Sequence, residues 1–147
     1  MKKSKGFTLI ELLVVIAIIG ILATIVLVSL NSARQKARDV RRIGDLRQVA
    51  LALEMYYDDH AAYPAVTGCT SGNWTTMATA IEGDGYMTQV PDDPTNSGSY
   101  IYMYGGTTTD YALKGTLENT SNTALNTDVD GTAVSCTCDD PVYCLQP

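Results

Sequence analysis

Basic residues are scarce beyond the first third of the chain. Positions 48–147 contain one basic side chain, Lys114, and thirteen acidic ones, a net charge of −12. Positions 1–47 contain nine basic and three acidic side chains, a net charge of +6. Because an acidic surface repels phosphate groups, we expect no direct binding of nucleic acid by the C-terminal part.

Histidine is also scarce, and no side chain can be assigned to it as a catalytic partner. His60 is the single histidine, and it follows Asp58 and Asp59. No serine or cysteine can be assigned to it as a nucleophile, so we expect a solvated surface side chain. The sequence therefore predicts that the chain is not an enzyme.

Cysteine is absent from the first 68 positions, and all four cysteines follow them: Cys69, Cys136, Cys138 and Cys144. An even number confined to one part of the chain indicates disulfides in an oxidising compartment, so we expect this part outside the cytoplasm. Cys136 and Cys138 are too close in sequence to bond each other comfortably. One of them is expected to pair with Cys144 and the other with Cys69. Zinc is the alternative, but Cys-x-Cys lacks the paired Cys-x-x-Cys spacing of most zinc sites.

Only one long apolar run occurs, at positions 7–30, and Glu11 is its single charged residue. As a helix, these 24 residues extend over about 36 Å, which is enough to cross a hydrocarbon core of about 30 Å. We therefore expect one membrane-spanning helix. The lysine and arginine counts on its two sides favour a cytoplasmic C-terminus. We give the cysteines more weight, because basic residues on a helix can have partners in an assembly.

Proline is missing from positions 7–63, so the apolar run and the residues after it can form one continuous helix. Beyond the run, apolar residues recur in steps of three and four, which predicts one amphipathic stripe over residues 31–62. Pro64 favours an end of the helix just before it. The predicted stripe contains Ala33, Ala37, Val40, Ile43 or Gly44, Leu46, Val49 or Ala50, Leu53 and Tyr57.

Basic side chains from Arg34 to Arg47 are interleaved with this stripe. They are expected either on a solvated face or on anionic lipid headgroups. In an assembly they would instead lie close to acidic residues of neighbouring copies, since a basic helix and an acidic C-terminal part are complementary in charge.

Residues 63–147 alternate short β-like segments with glycine, asparagine, aspartate and proline, which is typical of a small sheet with tight turns. The segments GYMTQV, SYIYMY, TDYALKGTL and TAVSC are predicted strands, and residues 75–83 a short helix. We expect an antiparallel sheet packed on the second half of the long helix, with tyrosines as its amphipathic cover. The predicted fold class is α+β, with a globular head at 63–147.

The residues before the apolar run complete a motif. MKKSKG is short and basic, Gly6 ends it, and Phe7 starts the run. The stretch KGFTLIELLVVIAIIGILA resembles the N-terminus of type IV prepilins and of the pseudopilins of type II secretion. The resemblance implies that a prepilin peptidase removes residues 1–6 as a leader and methylates the new amino terminus at Phe7. It also identifies Glu11 as the family's assembly glutamate, fifth in the mature chain.

Glu11 needs a cationic partner if it is buried in lipid, where a lone carboxylate costs about 2.5 kcal/mol or more. After cleavage, the Phe7 amine is four residues away on the same helix face. We expect Glu11 to pair with this amine in its own subunit or in a neighbouring one. The alternative is a carboxylate close to the interface that reaches water.

The head contains candidate calcium ligands in the segment NTDVDG. Asn126, Asp128 and Asp130 place oxygen atoms at every second residue before Gly131, like the start of a calcium loop. The patterns YYDDHAAYP, VPDDP and YIYMY resemble the major pseudopilin group, which implies calcium in a C-terminal loop. Thr137 stands where an EF-hand has its bidentate glutamate, so the segment is not an EF-hand. A plain Asx turn is the alternative.

These features predict a structural subunit of a type IV pilus-like filament or a type II secretion pseudopilus. The expected partners are further copies of the chain, minor pilins or pseudopilins, the prepilin peptidase and an inner-membrane assembly platform. The expected location is a single span of the inner membrane, with the N-terminus in the cytoplasm and the head outside it. The alternative function is a monomeric, membrane-anchored extracytoplasmic domain that binds a ligand or acts as an enzyme.

Overall fold

The computed structural model describes residues 6–147, and residues 1–5 of the expected leader lie outside the described part. The chain divides into two compact units, one up to Gln35 and one from Lys36 to Pro147. Helix α1, Leu9–His60, contributes residues to both units. It begins and ends two residues inside the range 7–62 that the sequence predicts.

The first unit exposes all of its described side chains. Most of them are apolar, and by length and composition α1 is the one helix among residues 6–147 that could cross a membrane. A continuous apolar surface of this length requires a lipid or protein environment rather than water.

The second unit contains the end of α1 and the head, which has a small antiparallel sheet, so the predicted α+β fold is confirmed. Strands β1, β2 and β5 are neighbours in that order, and β3 pairs with β4 in a separate two-stranded sheet. The elements after α1 are α2 (Ser71–Gly83), β1 (Met103–Gly106), β2 (Tyr111–Thr116), a 3₁₀ helix (Thr123–Asn126), β3 (Thr132–Ala133), β4 (Cys136–Thr137) and β5 (Val142–Leu145).

The core of the head is formed by one face of α1, one face of α2 and the sheet. Trp74 is the only tryptophan of the chain, and its ring centroid lies 5.0 Å from that of Tyr102. Since Trp74 is buried, its fluorescence reports on the packing of the head. Core residues include Leu46, Val49 and Leu53 of α1, Met77 and Ile81 of α2, and Tyr104 and Leu113 of the sheet.

The prediction of a single apolar stripe on α1 is wrong. Val49 is fully buried, whereas Val40 is 68% exposed and Ala37 is exposed as well. At about 100° per residue, Val40 and Val49 lie on opposite faces of the helix. Apolar residues of α1 therefore occupy two faces, and the head covers one of them.

Five of the nine tyrosines are core residues rather than a cover of the sheet. Tyr102, Tyr104 and Tyr111 are almost completely buried. The Tyr102 hydroxyl donates to Asp45 at 3.0 Å, and the Tyr104 hydroxyl donates to the carbonyl oxygen of Pro64 at 2.8 Å. Burial raises the pKa of all three phenols, so they remain protonated donors.

Three of the predicted strands differ in the structure. Of SYIYMY, only Met103 and Tyr104 lie in a strand, β1. The segment GYMTQV is not a strand, because the N–H of Val90 donates to the carboxylate of Glu82 at 2.6 Å and the segment bonds back onto α2. The segment TAVSC forms a turn with the short strands β3 and β4 on either side. Val134 and Ser135 in this turn have positive φ angles of 43° and 67°, which a continuous strand does not allow.

Two disulfides cross-link segments of the head. Cys69 pairs with Cys136, and Cys138 pairs with Cys144. This is one of the two pairings that the sequence left open. The first bond joins the segment before α2 to β4, and the second closes a short loop that ends in β5.

Arg42 joins α1 to two loops of the head, and its side chain is completely buried. Its Nε and Nη2 groups donate to the two oxygens of Asp93 at 2.7 and 3.1 Å. Its Nη1 group donates to Asp39 at 2.8 Å and to Glu118 at 2.7 Å. A buried guanidinium with this many carboxylate partners fixes the relative positions of three chain segments.

The surrounding groups complete this network. Asp39 accepts the backbone N–H groups of Glu118 and Asn119, both at 2.9 Å. Arg38 donates to both oxygens of Glu118, at 2.7 and 2.6 Å. Arg38 and Arg42 thus pair with the head of their own chain, so the expected solvated or lipid-facing position is wrong for these two residues.

We expect Arg42→Met to destabilise the head by about 3–5 kcal/mol, because the substitution leaves Asp39 and Asp93 buried without their cation. The measurement is urea unfolding of the full chain in detergent, followed by Trp74 fluorescence. Arg41→Met is the matched control. The Arg41 side chain is 61% exposed and lies 3.6 Å from Asp45, so a change within about 0.5 kcal/mol is expected. Equal losses in both variants would contradict the role of Arg42.

A pH dependence follows from Glu118. Hydrogen bonds from Arg38 lower the pKa of this carboxyl from 4.5 to about 2, against the opposing effect of desolvation. A carboxyl with a lower pKa in the folded state stabilises that state above its unfolded pKa and loses this contribution as the pH falls. We therefore expect the difference in unfolding free energy between wild type and Glu118→Gln to shrink between pH 4.5 and about 2. A constant difference, after correction with the exposed-site variant Asp92→Asn, would refute this.

Candidate functional site

The side chains of Thr8 and Glu11 cap the start of α1 reciprocally. The backbone N–H and the hydroxyl of Thr8 both donate to one carboxylate oxygen of Glu11, at 2.8 Å each. In return, the N–H of Glu11 donates to the Thr8 hydroxyl oxygen at 3.3 Å. This is a capping box, which satisfies N–H groups that the first turn of a helix leaves free.

The expected cleavage position lies just before this cap. Gly6 and Phe7 are exposed and precede the helix, so their backbone is accessible as a protease substrate must be. In the described chain the nitrogen of Phe7 is a peptide N–H bonded to Gly6. The Phe7 amine expected as the partner of Glu11 therefore exists only after cleavage, and before cleavage Thr8 satisfies the carboxylate.

Thr8 is the residue of this site that the sequence reasoning missed. The signal was present, because a threonine three positions before a glutamate at the head of an apolar helix is the signature of a capping box. The resemblance to type IV prepilins identifies Glu11 but not Thr8.

A second site is a cluster of carboxylates in the head. Asp128, Asp130 and Asp140 bring one oxygen each to within 4.8 Å of one another. Asp130 and Asp140 are exposed, and Asp128 is half-buried. Asn126, the third ligand expected from the sequence, ends the 3₁₀ helix with an exposed side chain.

Asp128 has one satisfied and one free oxygen. Its Oδ2 accepts the N–H of Cys144 at 2.9 Å, whereas its Oδ1 is buried and has no hydrogen-bond partner within residues 6–147. Burial raises the pKa of this carboxyl, an effect that the hydrogen bond from Cys144 opposes. A buried carboxylate oxygen without a partner is costly, and a cation at this point would supply one. The donor set of three carboxylates fits calcium, which prefers oxygen ligands.

Asp140 was not expected in this cluster. It lies between Cys138 and Cys144, in the loop that their disulfide closes. Because Cys144 also donates its N–H to Asp128, the disulfide holds both carboxylates in one region. The sequence signal was an acidic pair, Asp139 and Asp140, inside a short cysteine loop.

His60 is exposed at the C-terminal end of α1. Its Nδ1 lies 3.0 Å from the carbonyl oxygen of Tyr56, and its Nε2 lies 3.3 Å from a carboxylate oxygen of Asp84. Its ring stacks on Tyr56, with centroids 4.0 Å apart. The groups in contact with the ring are thus a carbonyl oxygen, a carboxylate and the rings of Tyr56 and Tyr86.

Comparison with known proteins gives one family match and several similar proteins that share one name. Residues 1–27 match the family described as "Prokaryotic N-terminal methylation motif". The type II secretion system core protein G of Pseudomonas aeruginosa is 35% identical over 113 residues, 72% of this chain and 78% of that protein. The protein of the same name from Vibrio cholerae is 32% identical over 110 residues, 72% and 75% of the two chains. That from Escherichia coli K12 is 35% identical over 97 residues, 63% and 67% of the two chains.

No solved structure matches the chain significantly. The aligned 113 residues exceed the 52 residues of α1, so the likeness extends from the helix into the head. With the methylation motif, the apolar start of α1 and the small antiparallel sheet, the chain belongs to the family of type II secretion system core protein G, the major pseudopilins.

Proposed function

We propose that this chain is a pseudopilus subunit that a prepilin peptidase cleaves after Gly6 and methylates at Phe7, and that Glu11 then directs its assembly. The observation that carries the proposal is the capping box at the start of an exposed apolar helix. Glu11 is the one charged side chain within residues 7–30, and the accessible Gly6–Phe7 peptide bond lies directly before the box.

Cleavage changes the electrostatics of this helix end. The positive end of the helix dipole disfavours a new ammonium group at Phe7, and it favours the Glu11 carboxylate. The Phe7 ammonium and Glu11 would neutralise each other in the apolar environment, where an isolated charge is costly. If the ammonium belongs to a neighbouring subunit, the pair also fixes the axial register of the two helices.

The partners and the orientation follow from the same features. Family membership implies assembly into a pseudopilus with other components of type II secretion. We propose further copies of this chain, minor pseudopilins, the prepilin peptidase and the inner-membrane assembly platform as its contacts. The chain is anchored in the inner membrane by α1, and the two disulfides of the head favour an extracytoplasmic, oxidising location.

The rival function is a monomeric, membrane-anchored domain. Such a domain requires neither removal of residues 1–6 nor an intermolecular partner for Glu11. The intact mass of the membrane-extracted protein separates the two functions. A chain that still begins at Met1 would favour the rival.

We also propose that Asp128, Asp130 and Asp140 hold calcium. The support is the free, buried Oδ1 of Asp128 and the convergence of three carboxylates on one point. Calcium would neutralise these carboxylates and join the loop after the 3₁₀ helix to the loop between Cys138 and Cys144. Asn126 remains a candidate ligand from the sequence.

We expect Glu11→Gln to leave cleavage and membrane insertion unchanged and to reduce filament yield at least tenfold. The substitution keeps the shape of the side chain and removes the charge that would pair with the Phe7 amine. Sheared and sedimented filaments, compared with total membrane-bound protein by immunoblot, provide the measurement.

Thr8→Val separates pairing from helix capping. This variant removes the hydroxyl of the capping box and keeps the Glu11 carboxylate, so we expect a smaller loss of filaments than in Glu11→Gln. Normal filament yield from Glu11→Gln, with cleavage at Phe7 verified by mass, would rule out the charge pair as the basis of assembly.

For the cation site, we expect calcium to raise the melting temperature of the full chain in detergent, relative to chelator. A ligand that binds only the folded state stabilises it by about 2.7 kcal/mol at a hundredfold excess over Kd. Asp128→Asn should abolish the calcium-dependent shift. Asp139→Asn, the exposed neighbour outside the cluster, should retain it. Identical melting curves with calcium and with chelator for the wild type would contradict calcium binding.

A further inference from the structure

The disulfide between Cys138 and Cys144 lies beside the carboxylate cluster of the head. Both half-cystines are completely buried, and they are six positions apart in the sequence. Asp140 lies within the loop that this disulfide closes, whereas Asp128 and Asp130 belong to the segment before β3. The cluster is therefore assembled from two chain segments, and the disulfide closes one of them.

Each half-cystine also hydrogen-bonds to residues 128–131, the segment that contributes the other two carboxylates. The N–H of Cys144 donates to Oδ2 of Asp128 at 2.9 Å. The N–H of Cys138 donates to the carbonyl oxygen of Gly131 at 2.7 Å. The two cysteines thus contact the first and the last residue of the segment. Their Cα atoms are 5.8 Å apart, and a disulfide keeps such atoms within about 7 Å, so it holds both contacts in place.

Without a cation, closure of this loop has an electrostatic cost. Asp128, Asp130 and Asp140 bring one oxygen each to within 4.8 Å of one another, and like charges at this distance repel. The Oδ1 atom of Asp128 is buried and has no hydrogen-bond partner among residues 6–147. A divalent cation would reverse the effect, because the same carboxylates would then share a positive partner. Closure of the loop and occupancy of the site should therefore depend on each other.

We propose that the Cys138–Cys144 disulfide and the cation site are coupled, so that the oxidised head binds calcium more tightly than the reduced head. This rests on the calcium site proposed above. In the reduced head, the segment that contains Asp140 is no longer tied to the segment that contains Asp128. Calcium then has to order both segments as it binds, which lowers its affinity. By linkage, bound calcium favours the oxidised form by the same factor.

Formation of this disulfide is a two-electron oxidation. The thiols of Cys138 and Cys144 lose two protons and two electrons as the S–S bond forms. Both pass to a disulfide oxidant, whose own S–S bond is cleaved to two thiols. Oxidants of this class act outside the cytoplasm, where we propose that the head lies. The coupling therefore gives the site its full affinity only after the head has left the reducing cytoplasm.

The first test measures calcium affinity with and without the disulfide, by isothermal titration of the full chain in detergent. The wild type should bind at least about fivefold more tightly than the double variant Cys138→Ser, Cys144→Ser. Trp74 fluorescence shows whether the variant is folded, and if it is not, the second test decides. Equal affinities in two folded proteins overturn the coupling and leave the calcium site standing. If the oxidised wild type binds no calcium, both fall.

The second test uses the wild type and needs no cysteine substitution. The full chain in detergent is equilibrated with reduced and oxidised glutathione, in calcium or in chelator. Alkylation and mass spectrometry give the oxidised fraction of the Cys138–Cys144 pair. Saturating calcium should raise the equilibrium constant for this disulfide at least about fivefold, the same factor as the ratio of affinities in the first test. An unchanged constant, in protein that binds calcium by titration, overturns the proposal.

Asp140→Asn tests whether the carboxylate inside the loop carries the coupling. In this variant, calcium should change the equilibrium constant of the disulfide by less than about twofold. In chelator, the disulfide should form more readily than in the wild type, because the repulsion is smaller. Asp139→Asn is the matched control, since Asp139 is an exposed neighbour in the same loop but outside the cluster. It should respond like the wild type, and equal responses of the two variants overturn the proposed coupling.

Discussion

The guanidinium of Arg42 is the contact on which the arrangement of the head depends. It is buried against Asp39 on its own helix and against Asp93 and Glu118 on two distant loops. A buried cation without these partners would be strongly unfavourable, so both loops must keep their carboxylates in contact with the guanidinium. The network lies where α1 enters the head and couples the position of both loops to the helix. Because ion pairs depend on direction and distance, they fix one position of the two loops, whereas apolar packing alone would specify their position less.

The two faces of α1 then serve different purposes. One face supplies Leu46, Val49 and Leu53 to the core, and the other keeps large apolar side chains in solvent. An exposed apolar face on an isolated protein favours aggregation. In an assembly of subunits, the same face is available for contact with a neighbouring subunit.

The sequence predicted the long helix, its apolar start and the α+β class, since these depend on local periodicity and on the absence of proline. It did not predict the burial of Arg42, because the partners Asp93 and Glu118 are 51 and 76 residues away. It assigned a strand near Val90, whose backbone N–H instead donates to the carboxylate of Glu82. The carboxylate cluster was half predicted: Asp128 and Asp130 are in the local motif, whereas Asp140 is brought to them by the loop that Cys138 and Cys144 close. Long-range contacts account for each of these differences.

The bond between Cys69 and Cys136 spans 67 positions, and it imposes an order on biogenesis. The helix that anchors the chain is synthesised first, whereas β5, which completes the main sheet beside β2, is among the last segments made. Until Cys136 has been added, the head has neither its long-range cross-link nor the edge strand that covers β2. A chain that stops early is therefore tethered to the membrane with an open sheet edge, and such an edge pairs readily with other strands. The last segment of the chain is thereby required to cover β2 and complete the main sheet.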